Sequence, residues 1–212
     1  MADRDAAVKF GVHLCVMTRA YQKKKRAERE AETRRRIVEA TMALHTSVGP
    51  ARTTISAIAD KAGVQRHTVY SHFPEEDTLF AACTSHWAEL HPFPPAEPWE
   101  AVADPLERLA VALRGVWAWY AEVEPDLELF LRDAEFVPAV RADVARYAER
   151  LTAVADRLAA DLGGSSTVRA VVGHALAFET WRSLVRREGL ATDDALDAML
   201  ALVERSSFVI TT

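Results

Sequence analysis

The sequence contains no asparagine and only 8 glycines in 212 residues. Tight hairpin turns depend on these two residue types, and an antiparallel β-sheet protein needs such a turn about every ten residues. Their scarcity therefore argues against a β-sandwich or a β-barrel. Alanine, in contrast, occurs 38 times and is the residue that most favours helix. The composition predicts an all-α fold.

Long apolar runs and paired cysteines are also missing. No stretch of about 18 apolar residues occurs, so we expect no membrane partner. The two cysteines, Cys15 and Cys83, are too few for a disulfide framework, and without asparagine there is no N-glycosylation acceptor. These absences predict a cytoplasmic protein. Met17 is a second candidate start, so we interpret residues 1–16 as an upstream-start extension.

Charge is unevenly distributed along the chain. The net charge is −5, yet residues 1–91 hold 14 basic and 11 acidic residues, and residues 92–212 hold 12 basic and 20 acidic ones. Four consecutive cations, Lys23, Lys24, Lys25 and Arg26, lie in the most basic part. We therefore expect a basic, flexible arm over residues 1–31 that faces a polyanion. A merely solvated arm is the alternative.

Helical periodicity and helix-breaking residues divide the rest of the chain. A helix over residues 32–48 should end at Gly49-Pro50, and two short helices should follow over 54–62 and 65–72, before a fourth that begins after Pro74. The proline-rich HPFPPAEPW (91–99) predicts a domain boundary, which gives one domain over 32–91 and another over 92–212. Longer helices are expected in the second domain over 105–123, 127–135, 139–162, 168–188 and 193–207.

The segment ISAIADKAGVQRHTVYSHF (55–73) predicts a helix-turn-helix. Ala59 and Ala62 are small enough for two helices to approach closely, and Gly63 suits the tight turn. The outward positions of the second helix are polar, as base reading in the major groove requires. A helical hairpin without a DNA-binding role is the alternative for this segment alone.

Residues 34–90 resemble the TetR-type (tetracycline-repressor-type) transcriptional regulators. RRRIVEATMALHTSVG and TTISAIADKAGVQRHTVYSHFPEEDTLF follow the family's order of helix, glycine, Thr-led helix, AxxAGV and tvYxhF, and FETWRSLVRREGL is similar to its eighth helix. The resemblance implies an N-terminal three-helix helix-turn-helix domain followed by a C-terminal helical-bundle domain for ligand binding and dimerisation. It implies a homodimeric repressor that a small-molecule effector releases from a palindromic double-stranded DNA operator, with no cofactor, no metal and no enzymatic activity.

The resemblance also implies roles for individual residues. Gln65, Arg66 and His67 would read base edges, with Arg66 matched to O6 and N7 of a guanine. The phosphate-binding candidates are Thr53, Thr54, Thr68, Tyr70 and His72. Lys23, Lys24, Lys25 and Arg26 would enter the minor groove or only release counterions.

One position departs from the family. Glu76, between Glu75 and Asp77, stands where the family usually has a lysine at the start of its fourth helix. The exchange removes a phosphate contact and leaves a weaker clamp on DNA. Stabilisation of the helix dipole is the alternative reason for these carboxylates.

The C-terminal half is rich in aromatic residues. An apolar effector pocket with a few polar anchors is one interpretation, and an ordinary core is the other. The pocket candidates are Trp117, Tyr120, Phe130, His174 and Phe178. The last two helices are apolar on more than one side, which favours burial against a second subunit. The candidates for the dimer interface are Val171, Trp181, Leu184, Leu196, Met199 and Val203.

No motif indicates metal or nucleotide chemistry. The histidine pairs 67/72 and 86/91 are spaced i, i+5, one residue away from the spacing that places two ligands on one helical face. The alternative function is a helical-bundle enzyme or a small-molecule-binding protein whose N-terminal hairpin is structural only. A deep pocket with paired titratable groups would favour an enzyme.

Overall fold

The computed structural model describes residues 4–208, with side chains described over 21–207, and this part of the chain is helical without a strand. The all-α prediction is thereby confirmed. The prediction that residues 1–16 are an upstream-start extension falls on residues whose side chains lie outside the described part of the chain. The α-helices are α1 (Arg4–His45), α2 (Ile55–Ala62), α3 (Arg66–His72), α4 (Glu76–Leu90), α5 (Glu97–Glu100), α6 (Pro105–Asp133), α7 (Pro138–Ala160), α8 (Ser166–Leu176), α9 (Phe178–Trp181) and α10 (Thr192–Phe208). A 3₁₀ turn covers Pro50–Arg52, and a π-helical turn covers Arg182–Arg187.

The chain forms two compact units. The first comprises α1 up to Leu44 together with Thr53–His86, and the second comprises His45–Arg52 and the chain from Trp87 onward. The division falls inside α4, although the sequence suggested a boundary after residue 91. Trp87 explains the difference, because its indole Nε1 donates to the carboxylate of Asp126 at 2.7 Å, within the second unit.

The first unit is built on local signals that the sequence carries. The side chain of Thr54 caps α2 by accepting the N–H of Ala57 at 3.2 Å, and Gly63 ends α2 in the left-handed region with φ +64°. Apolar side chains from α1 to α4 then form one core: Ile37, Val38, Ala40, Ile58, Ala59, Ala62, Val69, Phe73 and Leu79.

Residues 21–31 differ from the expectation of a flexible arm. They are helical and continuous with the rest of α1. Lys24 pairs with Glu28, and Arg26 pairs with Glu30 at 2.9 Å, one helical turn apart in each case. Such i, i+4 pairs add a few tenths of a kcal/mol each, about 0.2–0.5, to an exposed helix. The arm therefore alternates opposite charges at the spacing that favours helix.

Helix α6 is one helix of 29 residues that runs through Pro125, where the sequence predicted two helices. Val123 and Leu127 are both buried in the same core, while Pro125 itself is exposed. A proline inside a helix costs about 3 kcal/mol. Burial of apolar side chains on both sides of it offsets that cost, so the helix continues.

The long helix predicted over 168–188 is interrupted. Ala177 is extended, with ψ 139°, between α8 and α9. Leu176 and Phe178 lie two residues apart and would face opposite sides of an unbroken helix, yet both are buried in the second core. The extended residue resets the helical phase so that both side chains are buried.

Among the helices described, none is long and apolar enough to cross a bilayer.

Candidate nucleic-acid interface

Helix α3 presents a polar face over a buried anchor. Val69 is fully buried in the first core and fixes the helix, whereas Gln65, Arg66 and His67 are exposed at its N-terminal end. Gln65 occupies the N-cap position without using its side chain as a cap. Among the described side chains, none hydrogen-bonds to or pairs with Gln65 or Arg66. Their donors and acceptors are therefore available to a ligand.

The phosphate-binding candidates lie at the start of α2 and along α3. Thr54 is exposed, and because its Oγ1 only accepts the N–H of Ala57, the hydroxyl hydrogen can still be donated. Thr53 and Thr68 are half-buried, as is His72, and Tyr70 is 44% exposed. The N-terminus of α2 adds unpaired N–H groups and the positive end of a helix dipole. Donors suited to phosphate thus border the polar face of α3.

Two arginines of α1 hold the ends of α2 and α3, and sequence reasoning missed both. Arg36 donates to the carbonyl of Ala62 at 3.2 Å, and Arg34 donates to the carbonyl of His72 at 3.3 Å. The guanidinium of Arg34 also lies 4.0 Å from the ring centroid of Phe73. The last carbonyls of a helix lack partners within the helix and carry partial negative charge. The arginine run 34–36 is the signal in the sequence that could have indicated both contacts.

The basic part of α1 is only partly neutralised by its own glutamates. Lys24 and Arg26 form exposed ion pairs, which contribute little and can exchange partners. Lys23 and Lys25 are exposed, and within the described part of the chain no acidic side chain pairs with either.

At the start of α4, Glu76 and Asp77 are exposed in the first turn, where a helix dipole favours negative charge.

The aromatic residues proposed for an effector pocket are mostly core residues. Trp117, Tyr120 and Phe178 are buried together, and Tyr120 donates to the carbonyl of Leu176 at 2.7 Å. The hydroxyl of Tyr147 lies 2.7 Å from that of Tyr120, and burial raises the pKa of both phenols. Phe130 is half-buried, with its ring centroid 5.8 Å from that of Trp87.

His174 requires a correction. The sequence suggested a polar anchor among apolar residues, but the structure places His174 on the exposed side of α8, where its Nδ1 lies 3.2 Å from Oγ1 of Thr180. The residues that α8 contributes to the core around this position are Val172, Ala175 and Leu176.

The interface candidates divide into two sets. Trp181, Leu196 and Val203 are at most 1% exposed and belong to the core of their own subunit, so the expectation that they contact a partner is corrected. Helices α9 and α10 bury these positions inward because both helices pack on the second core. Val171, Leu184 and Met199 are only half-buried at its edge, and Leu190 and Leu202 are 40% and 43% exposed.

The described part of the chain holds no group of three or more His, Cys, Asp or Glu side chains that could bind a metal ion. The perturbed pKa values belong to buried phenols, the buried Cys83 thiol, His45 and paired surface or loop groups.

Comparison with known proteins agrees with this geometry. Residues 37–83 match the family model described as bacterial regulatory proteins, tetR family. A search of the curated proteins finds no match. Among solved structures, a TetR-like transcriptional regulator from Rhodococcus sp. RHA1 is 22% identical with TM-score 0.55, covering 82% of this chain and 94% of that one.

Two further solved structures share the fold. The multidrug binding protein EbrR, complexed with imidazole, is 24% identical with TM-score 0.55, covering 85% of this chain and 93% of its own. AibR, in complex with isovaleryl coenzyme A and operator DNA, is 17% identical with TM-score 0.56, covering 80% and 97%. Proteins of the matched family are transcription regulators and not enzymes. Residues 37–83 therefore carry the helix-turn-helix segment of the tetR family of bacterial regulatory proteins, and the chain as a whole shares the fold of solved tetR-type regulators.

Proposed function

We propose that this protein is a homodimeric repressor that binds a palindromic operator and is released from it by a small-molecule effector. The observation that carries the proposal is the exposed, unpaired face of Gln65 and Arg66 on a helix anchored by the fully buried Val69. Base reading needs side chains that are free to bond and a helix whose position is fixed. Helix α3 combines the two.

Each group of DNA contacts has a distinct role. Gln65, Arg66 and His67 read base edges, and Arg66 forms the bidentate bond to a guanine because its guanidinium carries two parallel N–H donors. The phosphate contacts come from Thr53, Thr54, Thr68, Tyr70 and His72, which set the register of α3 on the duplex but carry no sequence information. Lys23, Lys24, Lys25 and Arg26 add binding that depends on salt.

Dimerisation is proposed through the edge of the second core. Val171, Leu184 and Met199 remain half-exposed there, with Leu190 and Leu202 more exposed still. Aliphatic side chains left at the surface of consecutive elements are the composition of a subunit interface. A two-fold dimer of reading helices in turn requires an operator with two-fold symmetry.

Effector binding is proposed in the second unit. Its aromatic residues, such as Trp117, Tyr120, Phe130 and Phe178, give the apolar surroundings that small-molecule sites use. Support comes from two proteins of similar fold, one solved with imidazole and one with isovaleryl coenzyme A and operator DNA. His174 is not included, because it is exposed on α8.

The proposal is tested by selecting duplexes from a random-sequence pool with the wild type and with Arg66→Ala. We expect the wild type to select an inverted repeat. Arg66→Ala should lose the preference for one G·C pair in each half-site, which reduces discrimination there by about 1–3 kcal/mol. Arg187→Ala is the matched control, because Arg187 is an exposed arginine of the second unit that pairs with Glu188 at 2.8 Å. Identical motifs from the wild type and Arg66→Ala would contradict the assignment of α3 as the reading helix.

A further inference from the structure

A charged pair at the end of α6, the buried Asp133 and the exposed Arg132, binds the backbone that connects α1 to α2. Asp133 is only 2% exposed, and its carboxylate accepts the N–H of Ala51 at 2.9 Å and the Nε–H of Arg132 at 2.7 Å. Arg132 in turn donates to the carbonyl of Val48 at 3.1 Å. Two neighbouring side chains therefore bind the connection on both sides of Gly49. We call these two residues the α6 clamp.

The connection is shaped to admit this clamp. Gly49 has φ +93°, a conformation that side chains rarely allow. A Cβ at this position would also collide with Nη2 of Arg132 and Oδ2 of Asp133. Both the backbone conformation and the close approach require glycine, so the sequence of the connection and the clamp fit each other.

The chemistry of the clamp is that of a positioning device. The guanidinium of Arg132 holds the pKa of Asp133 below its ordinary value, so the buried carboxylate stays ionised and keeps its bond to Ala51. The carboxylate of Asp133 is a buried charge, and loss of its partner would leave that charge uncompensated. The bond from Arg132 therefore also fixes where Asp133 lies.

The clamped segment lies directly before the DNA-binding helices in the chain. His45 ends α1, and Thr54, which caps α2, follows Ala51 by three residues. The segment belongs to the second unit, while α1 up to Leu44 and α2 belong to the first. Only two residues, Arg52 and Thr53, separate the clamped Ala51 from the cap of α2.

We infer that Arg132 and Asp133 are positioning residues for operator binding: they touch no DNA, but they fix the connection from which α2 and α3 start. This inference rests on the proposed function.

The test compares Asp133→Asn with the wild type by fluorescence anisotropy on a duplex selected by the wild type. The asparagine keeps the shape and an acceptor for Ala51 but removes the charge that orders Arg132. We expect the Kd to rise at least tenfold, with the slope of log Kd against log salt unchanged because every phosphate-binding side chain is retained. Amide hydrogen exchange should show reduced protection over residues 46–57 and unchanged protection in α7.

Asp161→Asn is the matched control. Asp161 pairs with Arg108 at the surface of the same unit, so the substitution removes a carboxylate of the same type without reaching the connection. It should leave the Kd unchanged. Arg132→Lys is the second variant, and it carries the test if Asp133→Asn does not fold. It keeps a positive charge beside Asp133 but cannot bond the carboxylate and the Val48 carbonyl in the same geometry, so we expect a Kd several-fold above that of the wild type.

The outcomes separate the inference from the proposed function. If the wild type selects no duplex, both the proposed function and the inference that rests on it are overturned. If the wild type binds and a folded Asp133→Asn or Arg132→Lys binds equally well, the positioning role alone is overturned. A higher Kd with a lower salt slope would also overturn it, because that result would mean that the variant neutralises fewer phosphates.

Discussion

His45, at the end of α1, makes the stability of the second unit depend on pH. Its side chain is 6% exposed, and burial lowers its pKa to about 4, although the negative charge of Asp133 acts in the opposite direction. In the unfolded chain a histidine has a pKa of about 6.5. The unfolded state therefore binds the proton more tightly, and the free energy of unfolding falls as the pH drops below about 6.5, until the decrease levels off near pH 4.

The magnitude follows from the two pKa values. One pKa unit corresponds to about 1.4 kcal/mol, and a single site with these values loses about 2 kcal/mol of unfolding free energy between pH 7 and pH 5. Asp133 contributes little in this window. Its pKa is lowered in the folded state, so its own contribution disappears only at more acidic pH, once the carboxylate of the unfolded chain is protonated near pH 4.

The assay is urea unfolding at fixed protein concentration, at pH 7 and pH 5, for the wild type and for His45→Gln. Glutamine keeps hydrogen-bonding capacity but does not titrate. The wild type should lose about 2 kcal/mol more than the variant on acidification. His174→Gln is the control, because His174 is exposed, and it should behave like the wild type. If His45→Gln shows the same decrease as the wild type, the reasoning about the buried imidazole is refuted.

Three further predictions concern single interactions. Arg34→Met should lower the unfolding free energy of the first unit by about 1–2 kcal/mol in thermal unfolding, because it removes a cation–π contact and a charged hydrogen bond, whereas the exposed neighbour Arg35→Met should change it little. Replacing Lys23 and Lys25 with alanine should reduce the salt slope of operator binding by about 0.9 for each phosphate that the arm no longer neutralises, and an unchanged slope would show that the arm does not touch DNA. Tyr120→Phe should lower the free energy of urea unfolding by about 1–3 kcal/mol, because the carbonyl of Leu176 is left without its hydrogen-bond donor. Tyr147→Phe leaves this bond intact and is the control. A decrease for Tyr120→Phe no larger than that for Tyr147→Phe would contradict the role given to the bond.

The helix-turn-helix was predictable because its signals are local. A threonine cap, a left-handed glycine and apolar residues at helical spacing all lie within about twenty residues, and they give α2 and α3 almost to the residue. The same locality explains why the polar face of α3 could be read from the sequence. A short helix anchored by Val69 leaves little choice about which side chains face outward.

The features that the sequence did not predict depend on interactions between residues far apart in the chain. Trp87 belongs to the second unit because of Asp126, which lies 39 residues later, and periodicity gives no sign of that bond. Helix α6 continues through Pro125 because of what it packs against, and the inward position of Trp181 depends on the break at Ala177. The clamp of Arg132 and Asp133 on Ala51 spans 82 residues in the case of the carboxylate, so no sequence window contains it.

Operator binding is tested most directly by fluorescence anisotropy of the purified protein with the intergenic DNA upstream of its own gene and with a scrambled duplex, at two salt concentrations. We predict tight binding to the first duplex that saturates at two chains per site, and weak binding to the scrambled one that falls steeply with salt. Failure to bind either duplex, together with failure to select any sequence from a random pool, would contradict the proposal that this chain is a DNA-binding regulator.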